Sequence, residues 1–462
     1  MRLGPDNTDQ LPAEIARPCY DRSAQAVGIV HFGMGAFHRA HQAWYTDAAM
    51  NAGDRDWAIT GVSLRSPGVA EQMSPQVGFY TVVERSVDAP KARLIGAVRD
   101  VLVASCEPDA VIGALAAPTT HIASFTITEK GYCRAVDGSL DFAQATAGSI
   151  YFYLAAGLRR RMEAALPGLT LLSCDNLADN GAQLERLLGQ YLERSDPELR
   201  AWVAANCACP GTMVDRIVPA TTDADREQVQ KLLGGIEDQA CVITEPFSQW
   251  VIEDRFAGPR PRWEAVGVAL VSDVAPYELA KLRMLNGAHS LLAYVGLGRG
   301  HAYVHEAIAD SELCAMVQQL MLRDVVPTLS PAPGQDLTAY ANALMKRFAN
   351  PALNHRLIQI AMDGSQKIPQ RWLETLVENQ RMGRPCPAIL TGLAAWLRHV
   401  RGDNEAQWGA VDDPIAEALK CAWAKAPAGG IVEAMFGVNG LVKSAWQPDT
   451  ASREFIARNL AG

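Results

Sequence analysis

Through residue 272, short apolar runs alternate with longer stretches whose apolar positions recur at helical spacing. The runs at 26–32, 57–64, 122–128, 169–173 and 266–271 are rich in Val, Ile and Leu, the pattern of strands buried on both faces. The stretches 37–50, 146–165 and 183–193 carry the period of amphipathic helices. Strands alternating with helices predict a mostly parallel sheet covered on both sides. The pattern changes at Asp273. Pro276 suits a helix start, and 277–295, 307–322, 336–348, 373–380, 388–400 and 414–424 all read as helices. The predicted organisation is an α/β domain over 1–272 followed by a mainly α-helical domain over 273–462.

Composition narrows the function classes. A chain of 462 residues is too long for one ordinary core. Its formal charge of −9 argues against nucleic acid or an anionic membrane as the main partner. No apolar run approaches the roughly 18 residues of a membrane span, and Met1-Arg-Leu-Gly-Pro-Asp lacks the apolar core of a secretory signal. The ten cysteines are scattered, which reads as reduced thiols in the cytoplasm. Cys207-Ala-Cys209 has no second Cys/His pair at zinc-site spacing, and no metal is expected.

One segment of the helical half carries chemistry. Lys281-Leu-Arg-Met-Leu-Asn286-Gly-Ala-His289 places an amine, an amide and an imidazole at i, i+5 and i+8. At about 100° per residue these fall within roughly 140° of arc, with Lys281 and His289 roughly 12 Å apart along the axis. A small polar substrate fits between them. Lys has the chemistry to act as a proton acceptor when burial lowers it from ~10.4 towards ~7–8.

A second segment links the first strand to the first helix. In Gly33-Met-Gly35-Ala-Phe37-His38-Arg39, Gly33 permits a tight turn, and Gly35 allows close approach of a pyrophosphate to the helix N-terminus. His38 stands where the usual dinucleotide fingerprint has its third glycine. Arg39 in the first turn opposes the helix dipole, which makes it a candidate phosphate contact. The second strand ends Ser63-Leu64-Arg65-Ser66, with no carboxylate for a ribose 2′-hydroxyl. Arg65 suits a 2′-phosphate, so NADP stays open beside NAD.

With these segments in view, the chain resembles the mannitol dehydrogenase family, the polyol-specific long-chain dehydrogenases/reductases. The resemblance covers nearly the whole length. It rests on Ile29-Val-His-Phe-Gly-Met-Gly-Ala-Phe-His-Arg-Ala-His41-Gln42, Thr128-Glu-Lys-Gly-Tyr132, Ser173-Cys-Asp-Asn176, Val214-Asp-Arg-Ile217 and the Lys281/Asn286/His289 block. It implies a Rossmann-type N-terminal domain, a helical C-terminal domain, metal-free chemistry and a nicotinamide cofactor in the cleft between them. Lys281 would be the general acid/base, Asn286 and Asn176 would polarise the reacting oxygen, and His289 would orient the substrate. Asp215 would lie near the lysine and its proton path. Gly33, Gly35, Phe37, His38, Arg39, Arg65, Glu129 and Lys130 are the expected cofactor contacts, with NAD the expected carrier. A monomer or weak oligomer is compatible with the resemblance.

The substrate branch turns on Asn354-His-Arg356-Leu-Ile-Gln359-Ile-Ala-Met-Asp363-Gly-Ser365-Gln-Lys367-Ile-Pro369-Gln-Arg371. Mannitol 2-dehydrogenases are expected to carry Arg where Gln359 stands. This run is more similar to the fructuronate reductase (D-mannonate oxidoreductase) branch. A hexuronate carboxylate calls for a cation. Arg356 and Lys367 with Gln359 are therefore the expected substrate contacts, and Arg371 reads as a solvated basic residue. His41, Trp250, His301 and His305 are expected to be structural. The rival readings are a polyol 2-dehydrogenase and a nucleotide-binding regulatory protein without turnover.

Overall fold

The computed structural model describes residues 1–135, 137–426 and 430–460. The chain forms two compact units, Met1–Val274 and Ala275–Gly462. The described residues of the first contain strands β1 (Val27–Phe32), β2 (Ala58–Ser63), β3 (Tyr80–Glu84), β4 (Lys91–Ile95), β5 (Val98–Val103), β6 (Ile122–Phe125), β7 (Thr170–Ser173), β8 (Thr212–Asp215), β9 (Val242–Thr244), β10 (Gln249–Glu253) and β11 (Ala269–Val271).

Five of them form one sheet in the order β5-β2-β1-β6-β7, parallel throughout. Because successive residues of a strand point to opposite faces, Val30 and Phe32 pack with Val62, Ala123 and Phe125 on one side. Ile29 joins Ile59, Val98 and Ile122 on the other. Burial on both faces explains why these strands read as continuous apolar runs. After β1 the chain builds outward to β2 and β5, then returns to the opposite flank of β1 for β6 and β7. That reversal makes the carboxyl ends of β1 and β6 a topological switch point, where open α/β sheets bind ligands.

Two small three-stranded sheets, β11-β10-β8 and β4-β3-β9, complete the unit. β10 runs antiparallel to β8, and β3 antiparallel to β4. Their strands are three to five residues long and lie outside the alternating pattern, so five of them, β3, β4, β8, β9 and β10, escaped the sequence reading. The expected strand over 266–271 shrinks to Ala269–Val271, because Gly267 takes φ 100° and closes a 3-10 turn at Trp263–Val266. The expected helix 37–50 is two helices, Ala36–Ala40 and Gln42–Asn51, broken at His41 (φ −122°, ψ −91°).

The second unit is helical, as expected, around a core that includes Met284, Leu291, Leu292, Trp372 and Trp396. No helix of the described residues is long and apolar enough to cross a membrane. The segment expected as one regular helix over 277–295 is α at Ala275–Ala280, π at Lys281–Asn286 and α again at Gly287–Gly298. The helix expected over 307–322 divides at Asp310, whose side chain caps Ser311–Gln319 by accepting from the Glu312 and Leu313 amides. It then widens into a second π turn, Leu320–Val325. A third, Pro369–Leu373, precedes the helix Glu374–Arg381. Both pack against Lys281–Asn286.

Candidate active site

In the first unit the candidates gather at the carboxyl ends of the parallel strands. Gly33 follows β1 with φ 98°, and a Cβ there would fall on the carbonyl oxygen of Thr126 beyond β6. The two strand ends therefore touch only because residue 33 is glycine. Gly35 differs: its Cβ position is open, with nothing nearer than the Gly33 carbonyl at 4.0 Å. It N-caps Ala36–Ala40 in extended backbone and is exposed. This opening is the fit expected for a pyrophosphate against bare backbone.

The side chains of this turn are mostly occupied. His31 hydrogen-bonds through Nδ1 to Ser124 Oγ (2.8 Å) and through Nε2 to Thr126 Oγ1 (2.9 Å). Burial pushes its pKa down to about 3. His38 is fully buried, stacked on His31 with ring centroids 3.4 Å apart, and held neutral by burial. Its side chain is a packing group, which corrects the expectation of a cofactor contact. Arg39 is corrected likewise: it is buried, donates to the Ala240 carbonyl and lies over the Tyr80 ring at 5.9 Å. A guanidinium spent on a buried carbonyl is not offered to phosphate. His41 is a packing residue as expected, its Nε2 3.0 Å from the Gln249 carbonyl oxygen. Phe37 is half-buried and stacks on His41 at 5.0 Å. Trp250 lies in the core.

Arg65 is exposed just beyond β2. Glu129 and Lys130 are exposed on the short helix Thr128–Gly131 after β6, and among the described residues neither joins an ion pair. Asn176 is exposed just after β7, whereas Asp215 ends β8 and is buried. A residue missed in the sequence, Asp175, fixes this rim. Its carboxylate accepts from the Ile127 and Thr128 amides (3.0 and 2.9 Å) and from the Tyr132 hydroxyl (2.8 Å). Those bonds hold Thr128 at φ 62°, a conformation unfavourable to a β-branched residue. The only signal was its place beside Asn176 in Ser173-Cys-Asp-Asn176.

In the second unit Lys281 and Asn286 are the first and last residues of the π turn, and His289 sits on the next turn. The wider turn bonds i to i+5, as the Gly287 amide shows by reaching the Leu282 carbonyl. Residues five apart then lie nearer one line than the α-helical arc assigns them. Lys281 and Asn286 are half-buried and His289 is buried. His289 Nε2 has no hydrogen-bond partner among the described residues. Its ring touches Phe348 at 5.0 Å and meets His355 edge-on at 5.2 Å. Burial first, then His355, Arg347 and Arg371, keep it neutral.

Of the expected substrate contacts, Arg356 and Gln359 are exposed at the start of Leu357–Ala361. The Arg356 side chain makes no hydrogen bond or ion pair among the described residues. Lys367 donates to the Met362 carbonyl at 2.6 Å and stands 3.8 Å from Asp363. Burial lowers its pKa. Arg371 is not the solvated residue expected: it is half-buried and donates to the Asn286 carbonyl (3.2 Å) and Ser290 Oγ (2.9 Å). His301 lies 3.6 Å from Asp310, and His305 stacks on Tyr303, both in structural roles.

Known proteins share this organisation. Residues 27–265 match the model of the mannitol dehydrogenase Rossmann domain, and 273–436 that of the mannitol dehydrogenase C-terminal domain. The chain is 39% identical over 447 residues to the D-mannonate oxidoreductase of Escherichia coli (strain K12), covering 92% of this chain and 91% of that one. It is 38% identical over 457 residues to the mannitol 2-dehydrogenase of Phaeosphaeria nodorum, covering 95% of this chain and 80% of that one. Among solved structures it resembles the Pseudomonas fluorescens mannitol 2-dehydrogenase ternary complex with NAD and D-mannitol. There the TM-score is 0.85 and the identity 35%, with 100% of this chain and 96% of that chain covered.

Proposed function

The chain belongs to the mannitol dehydrogenase family, and from that premise we propose that this NAD-dependent oxidoreductase acting on CH–OH groups interconverts D-fructuronate and D-mannonate. Gly33 and Gly35 would hold the dinucleotide, with Arg65, Glu129 and Lys130 on the neighbouring strand ends. When bound, the nicotinamide gives or takes the hydride. The chain's own residues manage the proton and the charge on oxygen. Lys281 donates a proton to the ketone oxygen during reduction and removes it during oxidation. Asn286 and Asn176 donate N–H groups to that oxygen as its charge grows, an oxyanion-hole role. Asp215 serves the proton path of the lysine. His289, being neutral, can both give and take a hydrogen bond with a substrate hydroxyl.

The observation that carries the sugar-acid choice is Arg356, a cation whose side chain has no partner among the described residues, in the segment that distinguishes the branches. A hexuronate carboxylate is the counter-charge it lacks. The D-mannonate oxidoreductase relative supports the same choice. A polyol 2-dehydrogenase is the second reading, favoured by Lys367 and Arg371 being engaged with the Met362 and Asn286 carbonyls. The test follows NADH and NADPH consumption with D-fructuronate and D-fructose in parallel. Turnover of D-fructuronate, with Arg356→Ala raising its KM, supports the sugar-acid reading. Turnover of D-fructose alone replaces it with the polyol reading.

A further inference from the structure

A π turn inside an α-helix adds one residue, and where the extra residue sits decides the direction of every side chain around it. In the segment Ala275–Gly298 the wide turn closes at Asn286 and the α-helix resumes at Gly287. Sliding that junction by one residue would rotate the Asn286 side chain by about 100°, away from any oxygen it polarises. The turn therefore needs to be pinned at its end.

Both carbonyls at the junction accept a side-chain N–H from outside the helix. Arg371 donates to the Asn286 carbonyl at 3.2 Å and to Ser290 Oγ at 2.9 Å, bridging one helical turn. Trp372 Nε1 donates to the Gly287 carbonyl at 3.1 Å. The two donors are consecutive residues of the π turn Pro369–Leu373. Trp372 is fully buried and lies so close over Gly392 that a Cβ there would be 2.8 Å from its ring. One donor is thus immobilised by packing and the other by its two-point grip. Neither carbonyl needs this extra donor to complete an α-helix, so the paired contacts mark the junction itself.

We propose that Arg371 is a positioning residue that, together with Trp372, fixes where the π turn ends and so aims Asn286 at the reacting oxygen. Arg371 itself touches no substrate in this role. The inference rests on the assignment of Asn286 to that oxygen. It also explains why a strongly basic residue in the branch-distinguishing segment is turned towards the helix backbone.

The test is a double-mutant cycle on whichever sugar the wild-type enzyme turns over, using Arg371→Gln, Asn286→Ala and the combined variant. Arg371→Gln is expected to lower kcat about ten- to hundredfold while leaving the KM for the nicotinamide cofactor unchanged. Arg371→Lys, which keeps the charge and one donor, should recover part of the loss. In the Asn286→Ala background, Arg371→Gln should have no further effect on kcat, because the residue it acts through is gone. Losses that multiply, or an unchanged kcat beside a lowered Tm, would overturn the proposal. Hydrogen–deuterium exchange of wild-type and Arg371→Gln protein, read over amides 282–291, provides a check independent of turnover. Faster exchange confined to that stretch is expected, and equal exchange would overturn the clamp. If the wild-type enzyme consumes neither D-fructuronate nor D-fructose, the functional reading falls while the exchange comparison still decides on Arg371.

Discussion

The segment at residues 31–41 and the turn at 281–289 are both polar islands in apolar surroundings, yet they spend their polar groups differently. At the first, His31, Arg39 and His41 bond to neighbouring strands and carbonyls, and His38 is sealed against His31. What is left open there is backbone, at Gly35. At the second, the backbone is tied down by Arg371 and Trp372, and a side-chain nitrogen, His289 Nε2, has no hydrogen-bond partner among the described residues. A dinucleotide phosphate can be recognised by bare N–H groups, so its loop can use side chains as struts. In the proposed function, proton transfer needs a side chain at the reacting atom, which suits a helix that ties down its backbone and offers its side chains.

Removing chemistry from the second turn should have the largest effect. Lys281→Ala is expected to cut kcat by about 10²–10⁴-fold while leaving cofactor binding, read by nicotinamide fluorescence titration, unchanged. Loss of cofactor binding instead would mean that Lys281 serves the dinucleotide.

The two glycines divide the first turn. Gly33→Ala must place a methyl on the Thr126 carbonyl at φ 98°, and about 3 kcal/mol or more of stability should be lost. Gly35→Ala meets open space, so the urea midpoint should hold while the cofactor KM rises. A stable Gly33→Ala protein would refute the close approach of β1 and β6.

Arg39→Met tests whether the strut is structural. Expected is a stability loss of about 1–3 kcal/mol, from the abandoned Ala240 carbonyl, with an unchanged cofactor KM. A KM increase at constant stability would restore the phosphate role.

The smallest effect distinguishes the regions least. Burial depresses the pKa of His31 to about 3 and that of His38 well below its usual value. Both rings stay neutral in the fold while the unfolded chain takes up their protons below about pH 6.5. Each therefore lends stability that is complete above about 6.5 and is lost as pH falls towards the folded value, at about 1.4 kcal/mol per pH unit. Imidazole ¹⁵N shifts characteristic of neutral rings at about pH 5.5 are expected for both, and for His289 in the other turn. A protonated ring at that pH would show that its site admits water.

Much of this was legible without coordinates. Strands β1, β2, β6 and β7 of the parallel sheet announced themselves as apolar runs, since both faces are covered, whereas the partly exposed edge strand β5 did not. The short strands β3, β4 and β8 to β10 did not, because three to five residues carry too little periodicity to stand out. Lys281, Asn286 and His289 stood out because ionisable and amide groups are rare in so apolar a helix. Arg39 and His38 misled for a related reason: a polar residue in a motif signals importance, and the signal is the same whether it serves a ligand or a neighbouring carbonyl.

The sequence by itself determined the alternation of strand and helix, the change of character at Asp273 and the candidate groups for chemistry, since these depend on local periodicity and on residue type. Only the tertiary structure decided that the helix of Lys281 and His289 carries a π turn, that Arg371 faces its backbone and that Arg39 is a strut. Each of those depends on which distant carbonyl lies within reach of a donor, and that distance is set by packing between elements rather than by spacing along the chain.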